Sequence, residues 1–169
     1  MPSNKPLIRP SNPEDYESVA QLIYRSHTIS FKPFATEEWV TSRDIDEYRE
    51  RWREDLAASA SASNESMFVA VIDDAIVGTV KVGPTDSPDF DAHLVGMHVD
   101  PELRGGGIGS LLMARAKAFI KEQGFERVEL AVISSNALTR NFYENHGWVE
   151  HASIPVGGEG VPLKIYRLA

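Results

Sequence analysis

The sequence predicts an α/β fold on three observations: β-rich runs alternate with segments of helical period, a short acidic turn joins two of those runs, and a later strand–helix–strand span carries a glycine-rich loop. With 169 residues, 42% of them hydrophobic and 9% aromatic, the chain is expected to form one domain, residues 1–169, around a real core.

Leu7-Ile8-Arg9 reads as a short strand stopped by Pro10-Ser11-Asn12-Pro13. Asn12 suits an N-cap and Pro13 a first helical position. Val19, Leu22 and Ile23 recur at helical spacing, which predicts an amphipathic helix from Pro13 to about Ser26. Residues 28–36 show no period. Thr36 before Glu37 and Glu38 resembles a cap, and one helical region is expected from there to about Ala60, with a sparse apolar stripe of Trp39, Ile45, Tyr48, Trp52 and Leu56. Residues 59–66 are a small-residue linker.

Residues 67–72 and 76–82 are β-rich and joined by Asp73-Asp74-Ala75, a hairpin signal. After a turn-rich stretch, residues 93–99 predict another strand, stopped by Asp100-Pro101; simple alternation would put His93 and His98 on opposite faces. Ile108, Leu111, Leu112, Ala116, Phe119 and Ile120 keep helical spacing up to a stop at Gly124, and residues 127–133 read as a buried strand. Strand, helix and strand make a βαβ unit, with parallel strands and a right-handed crossover. A last helix over 137–145 ends at Gly147, and strands over 148–154 and 163–168 flank Gly157-Gly158-Glu159-Gly160.

Composition excludes some functions. An excess of 25 acidic over 17 basic residues, net charge -8, repels nucleic acid and anionic membranes and leans toward cationic amines. Without cysteine there is no disulfide, thiolate nucleophile or Cys-based metal site, and His146 and His151 are too isolated to suggest a metal ligand set. The opening Met-Pro-Ser-Asn-Lys-Pro has no apolar core for a signal peptide, and the longest apolar run, 67–72, is too short to span a bilayer. The expectation is a cytoplasmic protein.

The segment Val99-Asp100-Pro101-Glu102-Leu103-Arg104-Gly105-Gly106-Gly107-Ile108-Gly109-Ser110 sets glycines between a strand and a helix N-terminus. Glycine lets backbone N–H groups approach an oxyanion, and the first-turn amides with the helix dipole add positive potential. Pyrophosphate is the natural ligand, with Arg104 as a charged partner. A P-loop would need Gly-Lys-Ser/Thr, but the helix opens Gly109-Ser110-Leu111. A dinucleotide fingerprint would need glycine at Ser110 and an acid after the next strand, where Ser134, Ser135 and Asn136 stand.

Arg104-x-x-Gly107-x-Gly109, led in by Val99-Asp100-Pro101, resembles the Gln/Arg-x-x-Gly-x-Gly/Ala signature of the GNAT acetyltransferase superfamily. Asn136 with Phe142-Tyr143-Glu144 and Gly147-Trp148 is similar to that family's second signature, and Ile8-Arg9-Pro10 with Pro13-Glu14-Asp15 to its usual opening. Thr139 and Trp148 depart from its commonest residues, alanine and phenylalanine. The resemblance runs along the whole chain, with the specific motifs and cofactor-binding core over about 93–148.

The resemblance implies a mixed, mostly antiparallel sheet of about six to seven strands, with the fourth and fifth a central, parallel, splayed pair, and about four helices. It implies acetyl-CoA as acyl donor: pantetheine pairs with the backbone of Met97 and Val99, pyrophosphate takes the amides of Arg104, Gly105, Gly106, Gly107, Ile108, Gly109 and Ser110, and Asn136 reaches the pantetheine or amine region. Tyr143 matches the family's tyrosine and would both contact the cofactor and protonate the departing sulfur. A backbone N–H near Met97 or His98 would stabilise the oxyanion. His98 is the leading candidate for the base, ahead of His27, Asp91 and Glu37. The acceptor is expected to be a small-molecule or peptide amine, chosen by residues 26–36, the charged second helix and residues 154–162; a homodimer stays open. The alternatives are a non-catalytic acyl-CoA-binding module and a transferase for a longer acyl group.

Overall fold

The structure is a computed structural model that describes residues 5–169; residues 1–4, part of the segment read above for a targeting signal, lie outside the described residues. Strand β1 (Leu7–Pro10) leads into a 3-10 turn (Pro13–Asp15) and helix α1 (Tyr16–Arg25). The turn is held by Asp15, whose carboxylate accepts from the Asn12 amide at 2.7 Å and from the Arg9 guanidinium at 2.9 Å. At Ser26 the expected helix end is instead a widening: a π-helical turn covers Ser26–Ser30, closed by Phe31 N–H to Ser26 O at 3.0 Å.

The single helix expected from Thr36 to Ala60 is two helices, α2 (Glu37–Thr41) and α3 (Ile45–Ser61). The break has a local cause. Ser42 Oγ and Arg43 Nε both donate to the Trp39 carbonyl, and the Asp44 carboxylate accepts from the Asp46 amide at 2.9 Å, so side chains end one helix and cap the next. Strands β2 (Ser66–Ile72) and β3 (Ala75–Pro84) form the expected hairpin. Its two connecting residues, Asp73 and Asp74, both have positive φ, 49° and 66°, the twist a two-residue hairpin requires.

The remaining elements are β4 (Ala92–Val99), α4 (Ile108–Gln123), β5 (Val128–Ile133), α5 (Ala137–Asn145), β6 (Trp148–Ile154) and β7 (Leu163–Leu168). The seven strands lie in the order β1-β2-β3-β4-β5-β7-β6, antiparallel throughout except for β4 and β5. That pair is registered only at Ala92↔Val128 and His93↔Glu129, so beyond His93 the two strands separate. The sheet has the expected splayed parallel centre, and the described residues form five α-helices where about four were expected, because the charged region is split into α2 and α3. One face carries α4, whose Leu112, Met113 and Ala116 pack with Phe68, Val80 and Leu94; the other carries α1 and α3, with Val19, Ile23, Trp52 and Leu56 against Met67 and Val69. No helix among the described residues is long and apolar enough to cross a membrane.

The expected alternation in β4 fails for a physical reason. Lys81 faces Val95 and Thr79 faces His98, so two steps on β3 span three on β4. The extra residue makes a β-bulge at Gly96, whose φ of 61° suits glycine and whose carbonyl accepts from the Thr79 hydroxyl at 2.8 Å. The bulge shifts the side-chain phase: Met97 and Val99 join Leu94 on the α4 face, and His98 shares the opposite face with His93, reaching Ser26 of the π-helical turn.

Candidate active site

Where β4 leaves β5, a cavity of about 620 Å³ opens. The structure brings Met97, His98, Val99, Arg104, Gly105, Gly107, Ile108, Gly109, Ser110, Asn136 and Tyr143 to its wall; Gly106 stands in the same loop without lining it. His27, His93, Asp91 and Glu37 do not line it. Asp91 sits at the opposite end of β4, where its carboxylate accepts from the Glu126 and Arg127 amides and pairs with the Arg127 guanidinium, which together lower its pKa.

The loop from β4 to α4 is shaped by its own sequence. The Asp100 carboxylate accepts from the Glu102 amide at 3.0 Å and from Arg25 at 3.2 Å, pinning the loop's start to α1. Gly105 and Gly107 take φ of 84° and 86°, left-handed values open to glycine, and Gly107 is the N-cap of α4. A small residue is favoured at 109 for a different reason: a Cβ there would stand 3.3 Å from the Phe142 ring of α5, a close contact that the ring must yield to by a few tenths of an ångström. His146 Nδ1 donates to the Phe142 carbonyl at 2.7 Å, so in the neutral ring Nε2 accepts from the Ser110 hydroxyl at 3.0 Å. Ser110 is thus left to offer its backbone N–H to the cavity, and the loop presents the features a pyrophosphate needs: an exposed helix N-terminus, no side chain on Gly105 or Gly107, and Arg104 alongside.

From α5, Asn136 caps its own helix, its side-chain oxygen accepting from the Thr139 amide at 3.3 Å. That leaves the amide nitrogen as a donor. Tyr143 is buried beside Trp148 and Phe142, and its hydroxyl makes no hydrogen bond among the described residues. Burial pushes the phenol's pKa up, so it stays protonated.

On the α1 side, His98 Nδ1 and Ser26 Oγ are 2.7 Å apart, and His27 Nδ1 and the Tyr48 hydroxyl are also 2.7 Å apart. The two imidazoles lie 5.1 Å apart in a ring cluster completed by Phe31 and Trp39. Burial, aided by nearby Arg43 and Arg51, lowers the His27 pKa to about 4; burial, aided by His27 and Arg104, lowers that of His98 to about 3. Both rings bind protons less readily than in the unfolded chain, where histidine titrates near 6.5. Stability is therefore expected to be complete above about pH 6.5 and to be lost as pH falls toward 4 for His27 and 3 for His98. Melting temperature against pH checks this, and His27→Gln should flatten the decline.

The cavity also has residues that no sequence motif singled out. Ser26 and Phe31 come from the π-helical turn and its end, and Glu159 from the β6–β7 connection. Residues 26–36 and 154–162, expected to shape the acceptor side, meet directly: Thr36 N–H donates to the Glu159 carbonyl at 3.2 Å. The signal for Glu159 was a lone acid among three glycines.

Comparison with known proteins agrees with this geometry. Residues 26–148 match the Acetyltransferase (GNAT) family. Over 76 residues, 45% of the chain, the sequence is 33% identical to mycothiol acetyltransferase of Beutenbergia cavernae; the match spans 25% of that relative's length. The PaiA N-acetyltransferase of Thermoplasma acidophilum, solved in complex with coenzyme A, superposes with a TM-score of 0.79 at 21% identity, covering 96% of this chain and 98% of that one. An N-acetyltransferase from Staphylococcus aureus Mu50 gives a TM-score of 0.78 at 21% identity, covering 98% of each chain. At these identities the two structures speak for the fold alone. With the family match over most of its length, and the glycine loop, splayed strands and α5 tyrosine around one cavity, the chain belongs to the GNAT acetyltransferase family.

Proposed function

We propose that the protein is an acetyl-CoA-dependent N-acetyltransferase that moves the acetyl group directly to a primary amine of a small molecule or peptide. One observation carries the reading: the glycine-loop helix N-terminus, the separated edge of β4 and the unpartnered Tyr143 phenol all face one 620 Å³ cavity. A bound acetyl-CoA supplies the thioester that the amine attacks.

The chain's own groups divide the work. Amides of residues 104–110, with Gly106 supporting the turn, hold the pyrophosphate, and Arg104 adds charge. Beyond His93 the inner edge of β4 is free of β5, so backbone groups of Met97 and Val99 are open to an extended pantetheine arm. The Asn136 amide donates along the same path. A backbone N–H near Met97 or His98 steadies the carbonyl oxygen as it becomes negative. Tyr143 gives its proton to the departing sulfur.

His98 serves this site as a donor rather than as a base. The buried Ser26 hydroxyl has His98 Nδ1 as its sole hydrogen-bond partner among the described residues, so it keeps its proton satisfied by donating to it. The imidazole proton then resides on Nε2, where it can bond an oxygen. The amine attacks in its neutral form, which the apolar wall of Phe31, Met97, Val99 and Phe142 favours by desolvation. Once the C–N bond has formed and the C–S bond breaks, the nitrogen sheds its extra proton through water in the open cavity, and that proton balances the one Tyr143 gave to sulfur.

Calorimetric titration with acetyl-CoA, NAD and ATP, followed by an acceptor screen read by free-thiol release, tests the reading. Acetyl-CoA should bind alone and turn over with amines, faster than propionyl- or succinyl-CoA. Binding of NAD or ATP without acetyl-CoA overturns it; acetyl-CoA binding without turnover of any amine favours the sensor module.

A further inference from the structure

We infer that Glu159 holds a non-reacting positive charge of the acceptor, so that the preferred substrates are amines carrying a second cationic nitrogen. The inference rests on the proposed acyl transfer and names the acceptor class for the same cavity.

Glu159 is held in place from three directions. The β6–β7 connection is a tight turn, with Gly157 N–H to Val161 O at 2.9 Å and Gly160 N–H to Gly157 O at 3.1 Å. The Glu159 carbonyl accepts from both the amide and the hydroxyl of Thr36, at 3.2 Å and 3.3 Å, and Pro162 O accepts from Ser134 N–H at the end of β5 at 3.0 Å. Gly160, at φ 78°, lies so near α2 that a Cβ would sit 2.8 Å from Thr36 Cγ2. With its backbone so placed, Glu159 lines the cavity with Phe31, His98 and Leu163.

Its Oε2 is withdrawn from solvent and has no hydrogen-bond partner among the described residues. A buried carboxylate oxygen without a donor is unfavourable, and it becomes favourable when a ligand brings N–H groups carrying positive charge. Two nearby cations are engaged elsewhere, Arg25 with Asp100 at 3.2 Å and the Arg43 guanidinium over the Trp39 ring at 4.3 Å, and Arg104, which lines the same cavity, makes no ion pair with Glu159 among the described residues. His98, on the same wall, is neutral and cannot supply the missing charge.

The charge Glu159 takes is not that of the reacting nitrogen. A carboxylate beside an ammonium holds it protonated, which opposes attack on a thioester. A second cation keeps its charge throughout the transfer, and a fixed carboxylate matches it from binding to release.

The test is an equilibrium titration of the full chain, with and without coenzyme A, using straight-chain diamines, monoamines of the same length and the matching ω-amino acids. The wild-type protein should bind the best diamine about tenfold or more tighter than its monoamine, equivalent to ~1.4 kcal/mol, with the ω-amino acid weakest. Glu159→Gln should erase the difference between diamine and monoamine, and raise the acceptor KM for the diamine alike, with coenzyme A affinity and melting temperature unchanged. The inference is overturned if no diamine binds tighter than its monoamine, or if a preference survives in Glu159→Gln. Because amine binding is read without coenzyme A, a failure to bind the cofactor strikes the acyl-transfer reading and leaves the amine result to stand on its own.

Discussion

Replacing Tyr143 with phenylalanine should slow acetyl transfer about a hundredfold, the lower end of what a positioned general acid contributes. The phenol is buried against Trp148 and Phe142, lines the cavity, and has no hydrogen bond among the described residues. Phenylalanine keeps that ring packing and removes one oxygen that no chain group depends on. Melting temperature and acetyl-CoA affinity should therefore hold while kcat falls. The effect belongs in kcat because the proton is needed only as the sulfur departs. An unchanged kcat on an accepted amine removes the acid role from Tyr143 and makes it a packing residue.

The second large effect is expected at Gly107. Its φ of 86° is left-handed and no atom stands within 4 Å of the point a Cβ would occupy, so valine there meets backbone strain rather than a clash. Strain of this kind is worth about 1–3 kcal/mol. Either the loop keeps its shape at that energy or it rotates, and the first amides of α4 then point away from the phosphates. Coenzyme A affinity should fall roughly tenfold to a hundredfold, at about 1.4 kcal/mol per tenfold. Gly106→Ala is the internal control: φ there is not left-handed, its Cβ would meet only the Leu103 carbonyl at 3.4 Å, and the residue does not line the cavity. Calorimetry on both variants separates the loop's shape from its mere glycine content; equal affinity for the two would remove the cradle role from Gly107.

The donor side of the site was legible because its chemistry is local. Residues 99–110 encode strand end, turn, left-handed glycines and helix start in one continuous stretch, and the structure places them so. Asn136 and Tyr143 were legible through their spacing in a recognised signature. The acceptor side was less so. Apolar spacing carried a helix to about Ser26, but nothing in it marks where α-helical bonding widens into the π turn that brings Ser26 and Phe31 to the cavity. The stripe from Trp39 to Leu56 suggested one helix, because its period bridges the break that Ser42, Arg43 and Asp44 make with side-chain hydrogen bonds.

By itself the sequence determined the α/β class, the hairpin, the βαβ unit and the anion-binding loop, since period, turn chemistry and glycine placement act within a few residues. Tertiary structure alone decided which side chains share the cavity. The bulge at Gly96 reverses the face of His98, and the contact of Thr36 with Glu159 joins groups 123 residues apart. A strand's side-chain phase depends on its register with a neighbour, and a distant contact depends on how the sheet closes. Neither is written in the spacing of one segment.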